Sequence, residues 1–177
     1  MKTRLGPVTV ELVRADITRQ PDMDAIVNAA NAALQPGGGV AGAIHAAAGP
    51  ALAEACRPLA PIRCGEAVIT AGFELPNRHV IHCLGPVYGR DEPADALLAN
   101  CFGSVLRLAD AHRVESIAVP AVSTGVFGYP LDAAADVTLG AIAAYADPLE
   151  SVRDLRFCLF DAQALQAFER AAATYAS

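Results

Sequence analysis

Lysine is almost missing from this chain: of 13 basic residues only Lys2 is a lysine, and the formal net charge is −6. Neutralising a nucleic-acid backbone takes a basic patch, which thinly spread arginines do not form, so general nucleic-acid binding is excluded. A P-loop is excluded as well, since no Gly-Lys-Ser/Thr follows any glycine run, and the G-x-S-x-G of a nucleophile elbow does not occur. Cysteine is sparse and scattered: Cys56, Cys64, Cys83, Cys101 and Cys158 make an odd set with no C-x-x-C pair. That argues against a disulfide framework and a zinc site, and for small buried hydrophobes in a reducing compartment. Neither a metal nor a cofactor is expected. The long uncharged runs are broken by Gly, Pro, Asn or Ser, so none reads as a membrane span of ~20 apolar residues. The opening "MKTRLGPVTVELVRAD" lacks the apolar centre of a signal peptide. A cytoplasmic protein without a membrane partner is the expectation.

What is present is aliphatic. The chain has 177 residues, 54% of them hydrophobic, with a mean hydropathy of +0.34. Alanine supplies much of the excess, which favours helix. The length suits one domain over 1–177 with a substantial core. Strands are predicted over 8–13, 25–28, 66–73, 79–85, 116–122 and 155–160, from period-two alternation or short apolar runs bounded by turn residues. Helices are predicted over 42–49, 50–60, about 93–112, about 131–146, and a last one ending near Tyr175. Strands alternating with helices, several buried on both faces, define an α/β domain on a mostly parallel or mixed six-stranded sheet.

Ligands of such sheets bind beyond the carboxyl ends of the strands. Three strand exits carry unusual chemistry: Asp16, then "NAANAALQPGGGVAG" from Asn28, then "STGVFGYP" at 123–130. From Gln20 to Ala53 the only charged residues are Asp22 and Asp24, and none stands between Ser116 and Leu131. Two uncharged glycine loops at one end of a sheet are suited to gripping a diphosphate through main-chain N–H groups and helix N-terminal dipoles. Gly37, Gly39 and Gly42 satisfy G-x-G-x-x-G, but the insert from Asn28 to Gln35 separates them from their strand. Neither Glu54 nor Glu66 stands where a dinucleotide fold needs its acidic residue.

Five stretches, "DIT" (16–18), "AIVNAAN" (25–31), "GGGVAGAIHAAAG" (37–49), "HVIHCLGPVYG" (79–89) and "STGVFGYP" (123–130), together resemble a macrodomain, closest to the MacroD-type branch. The resemblance runs in order from about residue 8 to 172. It implies a three-layer α/β/α sandwich on a mixed six-stranded sheet. The implied partners are ADP-ribose and ADP-ribosylated proteins, with O-acetyl-ADP-ribose a possible further ligand. The implied activity is removal of mono-ADP-ribose from acidic side chains, deacetylation of O-acetyl-ADP-ribose, or binding alone.

By the same resemblance, Asp16 accepts a hydrogen bond from the adenine amino group, with the Ile17 amide nearby, and Phe160 lies on the adenine face with Asp161 beside the first ribose. Gly37, Gly38, Gly39 and Val40, with Ser123, Thr124, Gly125 and Val126, wrap the phosphates. Phe127 presses on the distal ribose, Asn31 holds its hydroxyls, Asn28 braces the loop, and Tyr129 stands near the scissile end. Asn31, Phe127 and Tyr129 are thus the candidate catalytic residues. Local chemistry offers each polar residue another role: Asp16 as a turn cap, and Asn31 as a side chain bonded to its own backbone. His45 reads as a packed histidine. One position departs from the pattern: Ala41 stands where MacroD-type hydrolases usually carry an aspartate, and alanine cannot take a proton from water.

Overall fold

The computed structural model describes residues 1–175. Its strands are β1 (Lys2–Leu5), β2 (Val8–Arg14), β3 (Ala25–Ala29), β4 (Ala67–Ala71), β5 (His79–Cys83), β6 (Ser116–Val119) and β7 (Asp154–Leu159). The helices are α1 (Gly39–Ala48), α2 (Ala51–Cys56), α3 (Ala94–Ala111), α4 (Leu131–Tyr145) and α5 (Ala162–Tyr175). All strands form one sheet in the order β1-β2-β7-β6-β3-β5-β4. Only the outer pairs, β1 with β2 and β4 with β5, are antiparallel. The inner strands β2, β7, β6, β3 and β5 run parallel, so their carboxyl ends open on the same edge.

The sheet has seven strands instead of the expected six. The additional one, β1, hides in "KTRL" because a charged edge strand has no apolar alternation to display. Lys2 is exposed, as edge strands often are, and only Leu5 is buried. Its signal was the pair Gly6-Pro7, a two-residue hairpin loop in which Gly6 takes a φ of +60°.

Proline explains two shortened elements. The strand expected to reach residue 122 stops at Val119, ahead of Pro120, and the helix expected over 50–60 becomes α2 followed by a 3-10 turn at Arg57–Leu59, where Pro58 lacks the amide to continue the ladder. In contrast, α1 begins earlier than expected, at Gly39, so the glycine run flows directly into its first turn.

Helices cover both faces. Against α3, α4 and α5 lies the larger core, with Phe102, Phe157 and Phe168 fully buried and the Phe157 and Phe168 rings 5.3 Å apart. Against α1 and α2 lies a smaller one built from Ile26, Ile44, Leu52 and Val80. Pairing between β3 and β6 extends only over Ala25↔Ile117 and Ile26↔Ala118. Beyond that the two strands part, and the gap between their exits is where a crevice opens.

Candidate ligand crevice

The crevice has two joined lobes sharing Gly39 and Val40 as a common wall. The narrow lobe has a cavity volume of about 270 Å³ and lies between the exits of β3 and β6. Its floor is Ala29 to Asn31, its walls Gly37 to Ala41 and the 121–127 loop, and Gly85 closes it from β5. The wide lobe, about 700 Å³, lies over the exits of β2 and β7 and is lined by Asp16, Ile17, Val40, Pro120 and Phe160 among others. Among the described residues no titratable side chain lines the narrow lobe. Ala41 does, and is 6% exposed.

Close backbone packing shapes the first loop. A Cβ on Gly42 would lie 2.3 Å from the Gly37 carbonyl oxygen, so only glycine lets the first turn of α1 fold onto the loop. Gly38, extended at φ −87° and ψ 179°, caps α1 without any side-chain hydrogen bond. The leading N–H groups of a helix have no carbonyl partner within it, and here they belong to residues that line the narrow lobe.

The second loop is held differently. Ser123 adopts a φ of +69°, a left-handed conformation uncommon for a non-glycine residue, and its buried Oγ has no hydrogen-bond partner. A Cβ on Gly85 would crowd that Oγ and a methyl of Val122, so the bare glycine lets both side chains pack against the exit of β5. Thr124 Oγ1 donates to Ala121 O (2.7 Å), Tyr129 N to Ser123 O (2.9 Å) and Tyr88 N to Phe127 O (2.8 Å). The loop tip is bare: Val126 is 96% exposed.

The polar candidates have local partners. Asp16 Oδ1 accepts from Thr18 Oγ1 (2.7 Å) and Thr18 N (2.9 Å), and these bonds, with Arg19 nearby, hold its carboxyl below the usual carboxylate range. It caps its own turn and lines the wide lobe as well. Asn31 binds Gln35 twice, Nδ2 donating to the carbonyl (2.9 Å) and Oδ1 accepting from the amide (3.1 Å), while lining the narrow lobe. Each of its amide groups retains a second hydrogen-bonding site. Asp161 accepts from Ala164 N at 2.8 Å, and Phe160, 91% exposed, leaves its ring on the wide lobe.

Four candidates stand apart from the lining of the two lobes: Thr124 and Asp161 border a third cavity, between the starts of α4 and α5, and Tyr129 and Asn28 border none of the three. Tyr129 is packed in the larger core with its ring centroid 4.8 Å from that of Tyr88, and burial pushes its phenol up. Asn28 is 1% exposed beneath the floor, its Nδ2 3.1 Å from His82 Nδ1. His82 Nε2 lies 3.0 Å from Thr70 Oγ1 and 3.7 Å from Cys56 Sγ. Burial, with nearby His45, brings the His82 pKa down to about 4. His45 is buried on α1 with neither ring nitrogen hydrogen-bonded, and burial lowers its pKa too.

Two lining residues have no conspicuous sequence signal. Gly85 follows β5 as an isolated glycine. Arg14 closes β2 two residues before Asp16 and borders the wide lobe, bringing a cation to that end alone.

A three-layer α/β/α fold with a loop-built crevice across parallel strand exits defines an α/β protein whose candidate site lies in its loops. The Macro domain family model matches residues 27–138, and with the relatives below it shows that the chain belongs to that family. It is 49% identical over 166 residues to a macro domain-containing protein of Ralstonia nicotianae, across 93% of this chain and 94% of the relative. A Streptomyces griseus macro domain-containing protein is 45% identical over 175 residues, 96% of this chain and 97% of the relative. Among solved structures, the Oceanobacillus iheyensis macrodomain with ADP superposes with a TM-score of 0.92 at 37% identity, covering 98% of this chain and 95% of that one. The Trypanosoma brucei macrodomain in complex with ADP-ribose has a TM-score of 0.84 at 37% identity, covering 91% of this chain and 68% of that one.

Proposed function

We propose that the crevice binds ADP-ribose, base in the wide lobe and distal ribose in the narrow one, and that the protein hydrolyses ADP-ribosyl esters. The substrates are mono-ADP-ribose on acidic protein side chains, O-acetyl-ADP-ribose, or both. The supporting observation is the pair of glycine loops meeting over the narrow lobe, with ADP and ADP-ribose bound by similar macrodomains. In this reading Asp16 and Ile17 select the adenine, Phe160 covers its face, and Asp161 approaches the first ribose. Main-chain N–H groups from Gly37 to Val40 and from Ser123 to Val126 hold the diphosphate, with Val126 closing over it. Asn31 and Phe127 orient the distal ribose. Asn28 acts from below, through the exit of β3, and Tyr129 from behind the second loop.

With Ala41 in the lobe, no side chain there can act as base. Water is then placed by the substrate's own phosphate oxygen, and rate comes from positioning, which can match the 10²- to 10⁴-fold of a general base. Water adds, the ester bond breaks, and both substrates yield ADP-ribose, with the protein's free carboxylic acid from the one and acetic acid from the other. The same alanine favours a second reading, a module that binds ADP-ribose without chemistry. Incubation with a target mono-ADP-ribosylated on aspartate or glutamate separates the two. Release of ADP-ribose supports the hydrolase, whereas saturable binding without release leaves the reader alone.

A further inference from the structure

Three large apolar side chains stand exposed at or beside the crevice: Phe160, Val126 and, 49% exposed, Tyr88. In the ADP-ribose reading, on which this inference rests, the base takes the first and the diphosphate the second. No part of ADP-ribose is left to cover Tyr88. It stands just outside the narrow lobe, three residues after the wall residue Gly85, and its amide donates to the carbonyl of Phe127 in the second loop (2.8 Å). Whatever is joined to a distal ribose in that lobe must leave it over this rim.

The aromatic is held still. Val87 N donates to Asp91 Oδ2 (2.8 Å) and Asp91 N to Val87 O (2.9 Å), closing a turn in which Gly89 takes a φ of +84°. The Tyr88 ring packs on that of Tyr129, centroids 4.8 Å apart, and half of the residue stays open. A fixed, half-open aromatic suits a protein contact, since covering it costs little further side-chain entropy.

The charge around it selects the partner. Arg90 lies 3.4 Å from Asp91, so those two largely cancel. Glu92 and Asp95 are exposed, and among the described residues neither forms an ion pair. Their hydrogen bonds run to the start of α3, Glu92 Oε2 accepting from Ala94 N (3.4 Å) and Asp95 Oδ1 from Ala96 N (2.8 Å). Asp95, Tyr88 and Glu92 all act on the Tyr129 phenol, which gathers them about one point. An aromatic face beside two unpaired carboxylates favours a cation, which stacks on the ring and is drawn by the charge, and it repels an acidic group.

We propose that Tyr88, Glu92 and Asp95 form the docking surface for the acceptor polypeptide, and that this surface takes a lysine or arginine close in sequence to the ADP-ribosylated residue. The preferred substrate is then mono-ADP-ribose on an acidic side chain with a basic neighbour, bound more tightly than ADP-ribose alone.

Calorimetric titration of the full chain with peptides carrying one mono-ADP-ribosylated side chain tests this. The probe is the glutamine-linked form, whose amide nitrogen replaces the ester oxygen so that it survives the titration. Arginine on both sides of the modified residue is expected to tighten binding about fivefold or more, relative both to the same peptide with aspartate there and to free ADP-ribose. Glu92→Gln combined with Asp95→Asn keeps an acceptor for each α3 amide. It should reduce that preference to about twofold or less while free ADP-ribose stays within about twofold. Tyr88→Ala should weaken the arginine peptide and leave free ADP-ribose unchanged. Equal binding of the arginine and aspartate peptides overturns the proposal, and so does a preference that survives in the doubly substituted protein, or Tyr88→Ala weakening free ADP-ribose by the same factor. A dimer of the free protein that depends on Tyr88 in sedimentation also overturns it, since a second copy then covers the ring. If free ADP-ribose itself fails to bind, the parent reading falls and takes this one with it, a result distinct from the others.

Discussion

The α carbon of Gly42 sits so close to the Gly37 carbonyl that a methyl group there would come within 2.3 Å of the oxygen. This contact presses the glycine loop onto the first turn of α1 and fixes the direction of its amides. Gly42→Ala must therefore displace the loop. Overpacking of this kind costs about 1–3 kcal/mol of stability, and ADP-ribose affinity should fall by more than that change alone transmits. Gly38, which has open space around its Cβ position and extended backbone, is the control. Gly38→Ala should leave the melting temperature unchanged, and thermal melts alongside calorimetry check both.

Phe160 separates binding from folding more cleanly. An aromatic 91% exposed contributes little to the core, yet stacking on a base is worth about 1–3 kcal/mol per base. Phe160→Ala should weaken ADP-ribose by that amount with no loss of stability. An unchanged affinity would move the base elsewhere.

Ala41 lines the narrow lobe and offers no proton acceptor. Ala41→Asp should raise the rate of ester hydrolysis, by as much as the ~10² to 10⁴ a positioned base supplies, and should introduce an acid limb in the pH profile where the new carboxylate protonates. An equal rate in the two proteins would show that the attacking water lies away from this position.

The histidine beneath the floor governs acid stability. Folded, His82 remains neutral down to about 4, whereas an unfolded histidine takes up its proton near 6.5. Unfolding therefore binds a proton between those values. Stability is full above the upper one and declines as pH falls toward the lower, by about 3 kcal/mol. Buried His45 acts in the same direction. His82→Gln, which keeps a polar group among Asn28, Thr70 and Cys56, should flatten the decline between pH 6.5 and 4 in denaturant titrations.

Much of this organisation was legible in the residues themselves. Apolar runs such as "AIVN" and "HVIHC" announce parallel strands buried on both faces, and the two uncharged glycine loops announce the crevice. The misses have physical causes. A charged edge strand such as β1 carries no hydrophobic period, and Pro58 and Pro120 act on elements that composition alone would have continued. At the site, Asn28 was read as the end of a strand and a brace for the loop that follows, and within β3 its side chain reaches His82. Asn31 was legible as a turn asparagine, bonded twice to Gln35, and it also lines the narrow lobe. Arg14 and the third cavity were not legible, because each depends on which strand exits the sheet order brings together.

Titrating ADP-ribose at low and high salt tests most directly the idea that main-chain amides, without a cation in the narrow lobe, hold the diphosphate. The account predicts one site per chain whose affinity falls only about threefold between about 0.05 and 0.5 M salt, since among the described residues no charged side chain lines the narrow lobe for salt to screen. No measurable binding, or an affinity collapsing steeply with salt as at a lysine- and arginine-built phosphate site, would contradict it.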